Sequence, residues 1–459
     1  MAKSPDSRED DASLDRQGDP PHLIPVDLPF VQDEEYLEEI PLADIDLTDA
    51  SFADDVVLNA DQAVDASAAS IKAKLAVPKL PAKELVLIGA GRVHLQLVES
   101  WPKRRIPNVN LTLISAFGQA TRGSMLAGTL AGIYRSQEML IDLPQLCEKR
   151  GVKLIVDRAN SFDPVAREIE FAHQPRLKFD LASINIGSVP SEEQLWQSHR
   201  IMIGVKPHST FLARFQVRFQ ELVEQWRQAP GEEMLQVVVV GSGLQAVELA
   251  FGLEQRRFDL ELPIDVRIVD GGREILAGCS PKTIRKVKKL FHQRGIEMNL
   301  GSSVVDCDDL GPATLILANG SSIRADLVIW VAGEAPPIAL QGFQLPKSPR
   351  GFLTIRPTLQ STANVPVFAV GDVAELVGNT LPKSDIDPVL QAAVLQRNLA
   401  RWFTDQPLAT YWPKHSTSSL ISCGDRTALM SYGNVCVRSR WAWWLKDRLD
   451  RRWVRKFQV

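Results

Sequence analysis

The 459 residues carry 45% hydrophobic and 24% charged side chains, enough apolar content for a large core and enough length for two or more domains. The net charge of −4 conceals an asymmetry, because residues 1–70 hold 19 Asp and Glu against 3 Lys and Arg, a net of −16. No apolar run reaches the roughly 18 residues a membrane span needs, and the start MAKSPDSRED lacks the apolar stretch of a secretory signal.

Residues 1–80 therefore read as a disordered acidic tail, with a short helix near Ala60–Leu75. So acidic a stretch has too little apolar surface to offset the entropy of ordering it. Order is expected from Lys83. An apolar run at 85–88 leads into Gly89, Ala90 and Gly91, then a helix over His94–Trp101, then the strand VNLTLIS over Val109–Ser115. That is one β-turn-α-β unit, for which parallel pairing and a right-handed crossover are the default. Leu154–Ala159 and Glu168–Ala172 read as short strands, and DLASINIG over Asp180–Gly187 as an apolar strand ending in glycine.

The pattern restarts at LQVVVV, Leu235–Val240, which runs into GSGLQAVELA. Gly241 suits the tight turn, Gly243 lets backbone approach a pyrophosphate, and Ala246 keeps helix close to strand. Glu248 completes a G-x-G-x-x-A-x-E pattern, and the helix N-terminus presents free N–H groups to phosphate. Asp270 ends the next strand, where a carboxylate accepts from a ribose 2′-OH and repels a 2′-phosphate. This favours NADH over NADPH. The first turn keeps Gly89 and Gly91 but has His94 as the third element and Ser115 at the ribose position, with Arg92 poised for a phosphate. Read alone it is a nucleotide site or a plain βα turn, and His94 reads as a packed histidine.

Three further segments fit a two-nucleotide design. They are FDLASINIGSVP with Gly187, ADLVIWVAGEAPP with Gly333, and VPVFAVGDVAEL with Gly371 and Asp372, whose carboxylate suits a ribityl chain. The chain ends in two strands, near Ser418–Ser422 and Ala428–Ser431, and a basic amphipathic helix. In that helix Trp441, Leu445, Leu449, Trp453 and Phe457 recur every four residues as an apolar face. Asp447 and Asp450 are expected to pair with neighbouring arginines, as on a surface helix. The five cysteines, Cys147, Cys279, Cys307, Cys423 and Cys436, form no C-x-x-C, so neither a metal site nor a local dithiol is expected, and a reducing compartment is.

With those motifs in order, residues 84–459 resemble the FAD-dependent pyridine nucleotide-disulfide oxidoreductase superfamily. Within it they are similar to NADH dehydrogenase-like flavoproteins, in particular the flavoprotein domain fused to selenide, water dikinase. LVLIGAGRVHLQLVES, GSMLAGTLAGIY, GVKPHSTFL, VVVVGSGLQAVELA and LPKSDIDPVLQAAVLQRNL carry the likeness. The resemblance implies an α/β fold of two Rossmann-like domains, one inserted in the other, with a C-terminal α+β interface domain.

The boundaries expected are 81–233 and 338–405 for the FAD-binding domain, 234–337 for the NAD(P)H-binding domain and 406–459 for the interface domain. FAD would lie against Gly89, Gly91, Arg92, Ser115, Gly187, Gly371 and Asp372. NADH or NADPH would lie against Gly241, Gly243, Ala246, Glu248, Asp270 and Gly333. Lys206 and Lys383 are the candidates for tuning a flavin. The implied activity is hydride transfer from NAD(P)H to a quinone-like or other small-molecule acceptor. A sulfide:quinone oxidoreductase-like enzyme and a catalytically degenerate scaffold are the alternatives. A cytoplasmic protein is expected, with peripheral contact at the inner membrane face through the C-terminal helix, no nucleic acid partner, and a selenium link by resemblance only. One stretch departs from the subgroup: Asp385, Asp387 and Leu390 replace its glycine, aromatic and arginine, and Pro388 removes a backbone N–H.

Overall fold

Two runs of consecutive apolar residues, VLI before Gly89 and VVVV before Gly241, are buried on both faces, as central strands of parallel sheets are. In the computed structural model, which describes residues 81–228, 234–309, 313–378, 388–413 and 418–458, each sits at the centre of its own five-stranded parallel sheet. Lys383, Asp385, Asp387 and the acidic segment lie outside the described residues, which all fall within the unit Leu75–Val459.

The first sheet contains β1 (Lys83–Ile88), β2 (Val109–Ser115), β3 (Lys153–Val156), β4 (Leu181–Ile184) and a strand from far along the chain, Val367–Ala369. Its spatial order is Val367–Ala369, β4, β1, β2, β3. The second contains β5 (Met202–Gly204), β6 (Leu235–Val240), β7 (Ile264–Asp270), β8 (Glu297–Leu300) and β9 (Leu327–Trp330), in the order β5, β9, β6, β7, β8. The two orders are the same in kind. In each, the strand before the glycine turn has its sequence successor on one side and a much later strand on the other. The strand order therefore reverses at the carboxyl ends of β1 and β6, where open α/β sheets bind ligands.

The chain enters the second sheet earlier than expected. β5 pairs with β9 (Met202 opposite Val328), so Met202–Gly204 belongs to the second sheet although the sequence placed that boundary at 234. A three-residue strand followed by the long helix α2 (His208–Gln228) leaves too short a periodic run to be read beforehand. Of the remaining helices, α3 (Leu244–Asp259) packs on β6 and β7, α4 (Pro281–Arg294) lies against the strand Val435–Ser439, and α5 (Pro388–Phe403) packs on the helix Arg92–Ser100. The last segment forms an antiparallel sheet of β10 (Ser418–Ser422), β11 (Ala428–Tyr432) and β12 (Val435–Ser439), followed by α6 (Arg440–Arg455). The third strand was not anticipated, because its apolar residues face outward: Val435 and Val437 are exposed.

Helix α6 corrects the sequence reading of its faces. Ser439 caps it by accepting from Ala442 N at 3.0 Å. Its buried row is Ala442, Lys446, Asp450 and Val454, with Phe457 beyond, whereas Trp441 and Leu449 are 58% and 50% exposed. Two rows of four-residue period exist on the helix, and the one carrying an ion pair faces inward.

Candidate functional site

At the end of β1 the backbone turns through Gly89, whose φ is +93°. A Cβ there would stand 2.4 Å from Asn185 O, so only glycine fits. Helix α1 (Arg92–Ser100) starts from Gly91. His94 is fully buried. Its Nδ1 lies 2.7 Å from Gly89 O and its Nε2 2.8 Å from Ser183 Oγ on β4. Burial pushes its pKa down to about 4, so a neutral ring ties turn to strand, in agreement with the packed reading. Ser115 donates from Oγ to Phe117 O at 2.8 Å, closing its own turn, and Arg92 is exposed.

The segments carrying Gly187 and Asp372 converge on Lys206. Its Nζ donates to Ser188 Oγ at 2.8 Å and lies 3.4 Å from Asp372 Oδ2. Two residues on, His208 has Nε2 2.9 Å from Gln245 Nε2, on the first turn of α3, and its ring lies against Gly123. Burial, with the Lys206 charge adding to it, pushes the His208 pKa down to about 4. A polar line thus runs from Ser188 and Asp372 through Lys206 and His208 to the helix that opens the second glycine turn. Sequence reading missed His208, Gln245 and Ser188. The available signal was the position of His208 two residues after Lys206.

The second turn is differently furnished. Gly241 has φ +130°, and a Cβ there would stand 3.1 Å from Ala332 N. Gly243 forms the N-cap of α3, and a Cβ on it would meet nothing within 4 Å. Ala246 is fully buried against the sheet. Asp270 Oδ1 accepts from Gly272 N at 2.6 Å at the end of β7. Gly333 is where the two crossing segments meet. Val189 N donates to Ala335 O at 3.0 Å, Ala335 N donates to Val189 O at 2.8 Å, and Ser191 occupies the side that a Cβ on Gly333 would need.

Glu248 does not face the second turn, contrary to the sequence reading. Its Oε1 accepts from Ser422 N at 2.7 Å and lies 3.8 Å from Lys446 Nζ. Lys446 Nζ also donates to Asp450 Oδ2 at 2.9 Å and to Ser124 O at 2.7 Å, and Asp450 is held by Arg122 at 3.0 Å and by Ser124 Oγ at 2.7 Å. These partners assign Glu248 and Asp450 to a buried charge network joining α3, residues 122–124 and α6.

Asp270 remains the ribose candidate. Asp270→Ala is expected to weaken NADH binding by about 1.5–3 kcal/mol, the range for a hydrogen bond to a charged group, and to strengthen NADPH binding by removing the carboxylate that repels its 2′-phosphate. Dissociation constants for both nucleotides check this, and an unchanged ratio removes Asp270 from the site.

Two parallel sheets of one order, each with a glycine turn at its switch point and joined by a shared polar line, define a protein of two dinucleotide-binding folds. Residues 198–394 of the chain match the family model of the pyridine nucleotide-disulphide oxidoreductases. It is 26% identical over 216 residues to a type II NADH:quinone oxidoreductase of Haemophilus influenzae, a match covering 44% of this chain and 48% of that one. The chain thus spans about half the length of that curated relative. In fold it is similar to the sulfide:quinone oxidoreductase of Aquifex aeolicus (TM-score 0.67, 16% identity, 82% of this chain and 91% of that one). It is equally similar to the Plasmodium falciparum NDH2 solved with NADH (TM-score 0.67, 13% identity, 82% and 97%). Among the described residues there is no cluster of side chains fit to hold a metal ion, and no helix long and apolar enough to cross a membrane.

Proposed function

We propose that the chain is an FAD-dependent oxidoreductase that takes hydride from NADH and passes electrons to a quinone-type acceptor. The observation that carries this reading is the Ser188–Lys206–Asp372 cluster and the adjoining His208–Gln245 pair, which lie between the two glycine turns. The second turn is open to a nicotinamide nucleotide, and the first site offers partners to FAD although Asn185 covers its second glycine. Gly243 leaves its outer side clear for a pyrophosphate, and Asp372, 3.4 Å from Lys206, offers a carboxylate suited to a ribityl chain. FAD, when bound, supplies the hydride chemistry. The protein's part is positional. Lys206 holds a positive charge beside Asp372, and His208, neutral at pH 7, offers a hydrogen bond without adding charge. Asp270 supports the preference for NADH.

Of the two alternatives, sulfide chemistry would need cysteines that meet. Cys147 and Cys307 lie in two separate buried clusters, the one with Cys307 formed on one face of the second sheet. Burial raises their pKa values to about 12 and about 11, which leaves both as unreactive thiols at neutral pH. The absorption spectrum of the purified chain and NADH oxidation with a soluble quinone test the main reading. Flavin bands and quinone-dependent turnover are the expected result. Flavin without turnover points to the degenerate scaffold, and no flavin at any added FAD concentration removes the reading.

A second part of the proposal is a cytoplasmic protein in reversible contact with an anionic membrane surface through α6. Trp441, Trp444 and Leu449 are 58%, 49% and 50% exposed. Beside them, Trp444, Asp447, Arg448, Arg451, Arg452 and Arg455 line a surface depression of about 290 Å³. Exposed tryptophans among arginines suit the headgroup layer. At low salt the full chain is expected to sediment with anionic liposomes, and the full chain carrying Trp441→Ser and Trp444→Ser, both at exposed positions, is not. Equal, negligible sedimentation of both removes the membrane contact. The selenium link has no counterpart among the described residues.

A further inference from the structure

The two glycine turns share a fold and differ in what faces them. At the second, the outer side of Gly243 meets nothing within 4 Å, and no side chain caps α3. At the first, the corresponding side of Gly91 is taken. A Cβ there would stand 2.3 Å from Asn185 Oδ1 and 2.4 Å from its Cγ. Asn185 sits just past β4, is 4% exposed, and is anchored through its own N–H to Ile88 O at 2.7 Å. In the amide orientation that satisfies both ends, its side-chain oxygen accepts from Val93 N at 3.2 Å and its side-chain nitrogen donates to Val370 O at 3.2 Å. The same amide lies against Gly371: in this orientation its nitrogen is the atom 2.6 Å from a Cβ on Gly371 and 2.3 Å from one on Gly91, and its oxygen is 2.6 Å from the latter.

A dinucleotide turn binds pyrophosphate through the clear side of its second glycine and the free N–H groups at the helix start. Asn185 occupies both, with a neutral carbonyl oxygen where an anionic oxygen belongs. We propose that Asn185 is an internal stand-in for the pyrophosphate at the first turn, a latch that must swing aside before FAD binds and so sets the affinity of the site. The proposal rests on the assignment of FAD to the first turn. Its consequence is that flavin affinity and stability of the flavin-free protein move in opposite directions. The latch stabilises the free protein by holding Gly91, Val93 and Val370 together, and the same contacts are lost on binding.

The test is a titration of flavin-stripped full-length protein with FAD, followed by quenching of flavin fluorescence. It uses wild type, Asn185→Ala and Asn185→Ser, with melting temperatures of the flavin-free forms and an NADH titration as a control on the second site. Both variants are expected to bind FAD more tightly, by about tenfold for Asn185→Ala, the equivalent of one competing hydrogen bond removed. Both are expected to melt lower without flavin and to bind NADH unchanged. Asn185→Ser keeps a small polar group and so provides the measurement if the alanine variant does not fold. Weaker or unchanged FAD binding in the folded variants overturns the latch, since it would make Asn185 a direct phosphate ligand or a packing residue only. If neither wild type nor variants bind FAD while all bind NADH, the assignment of the first turn fails as well, a result distinct from failure of the latch alone.

Discussion

Gly243→Ala is expected to leave the melting temperature unchanged and to weaken NADH binding about tenfold, and Gly243→Val to weaken it about a hundredfold, roughly 1.4 and 2.7 kcal/mol. The backbone at Gly243 has φ −72° and ψ −179°, an extended conformation open to any residue, and an added Cβ meets nothing within 4 Å. The substituent therefore leaves the protein's own packing alone and projects where a pyrophosphate approaches the turn. Fluorescence quenching by NADH reads the effect, and an unchanged dissociation constant in both variants would place the nicotinamide nucleotide elsewhere. The equivalent experiment at the first turn is ambiguous. Gly89→Asp meets the Asn185 carbonyl at 2.4 Å and carries the strain of a φ of +93°. Loss of flavin there reports misfolding as readily as loss of a site.

Lys446→Ala is expected to cost about 3–5 kcal/mol, because it leaves Glu248 and Asp450 buried without the cation they share. Lys446, Asp450 and Glu248 are 8%, 3% and 7% exposed. Burial alone would lower the Lys446 pKa, but the Glu248 and Asp450 carboxylates raise it. Burial alone would raise the Asp450 pKa, but Lys446 and Arg122 hold it below the usual range. Burial raises that of Glu248, offset only in part by Lys446 and the Ser422 N–H. The signs follow. Asp450 contributes stability above its unfolded pKa that is lost as pH falls through its folded value. Lys446 contributes stability below its unfolded pKa that is lost as pH rises through its folded one. Glu248, with a raised folded pKa, contributes only in acid and loses that contribution as pH rises through its folded value.

Without Lys446 both carboxylates shift upward, so the variant should recover part of its deficit between pH 7 and pH 5. Glu248→Gln in the same background should recover part of it at pH 7. Urea denaturation at both pH values checks this. A loss under about 1 kcal/mol, or one independent of pH, would mean that the network is solvated and not buried.

Much of the scaffold was legible because it is written in short range. Consecutive valines before Gly241 and the apolar run before Gly89 can only be strands covered on both faces, and a glycine pair followed by a helical period marks the turn. Gly187, Gly333 and Gly371–Asp372 were found the same way, each as an apolar strand that ends in a glycine. The faces of α6 were not legible. The row of Trp441, Leu445, Leu449 and Trp453 and the row of Ala442, Lys446, Asp450 and Val454 have the same period. Hydrophobicity favours the first, and only Glu248 and Arg122, brought in from other elements, turn the second inward. Glu248 was misassigned for the related reason that the pattern places it on the right helix without saying which way the helix faces there.

The sequence by itself determined the strand-turn-helix units, their number and their order, because these depend on neighbours within a few residues. The tertiary structure alone decided which charges are buried, that Lys206 meets Asp372 and Ser188, that His208 meets Gln245, and that Asn185 covers Gly91. Each of those contacts joins segments far apart in the chain. A side chain's pKa, its partner and the space in front of a glycine are set by whatever the fold brings alongside, which local periodicity does not encode.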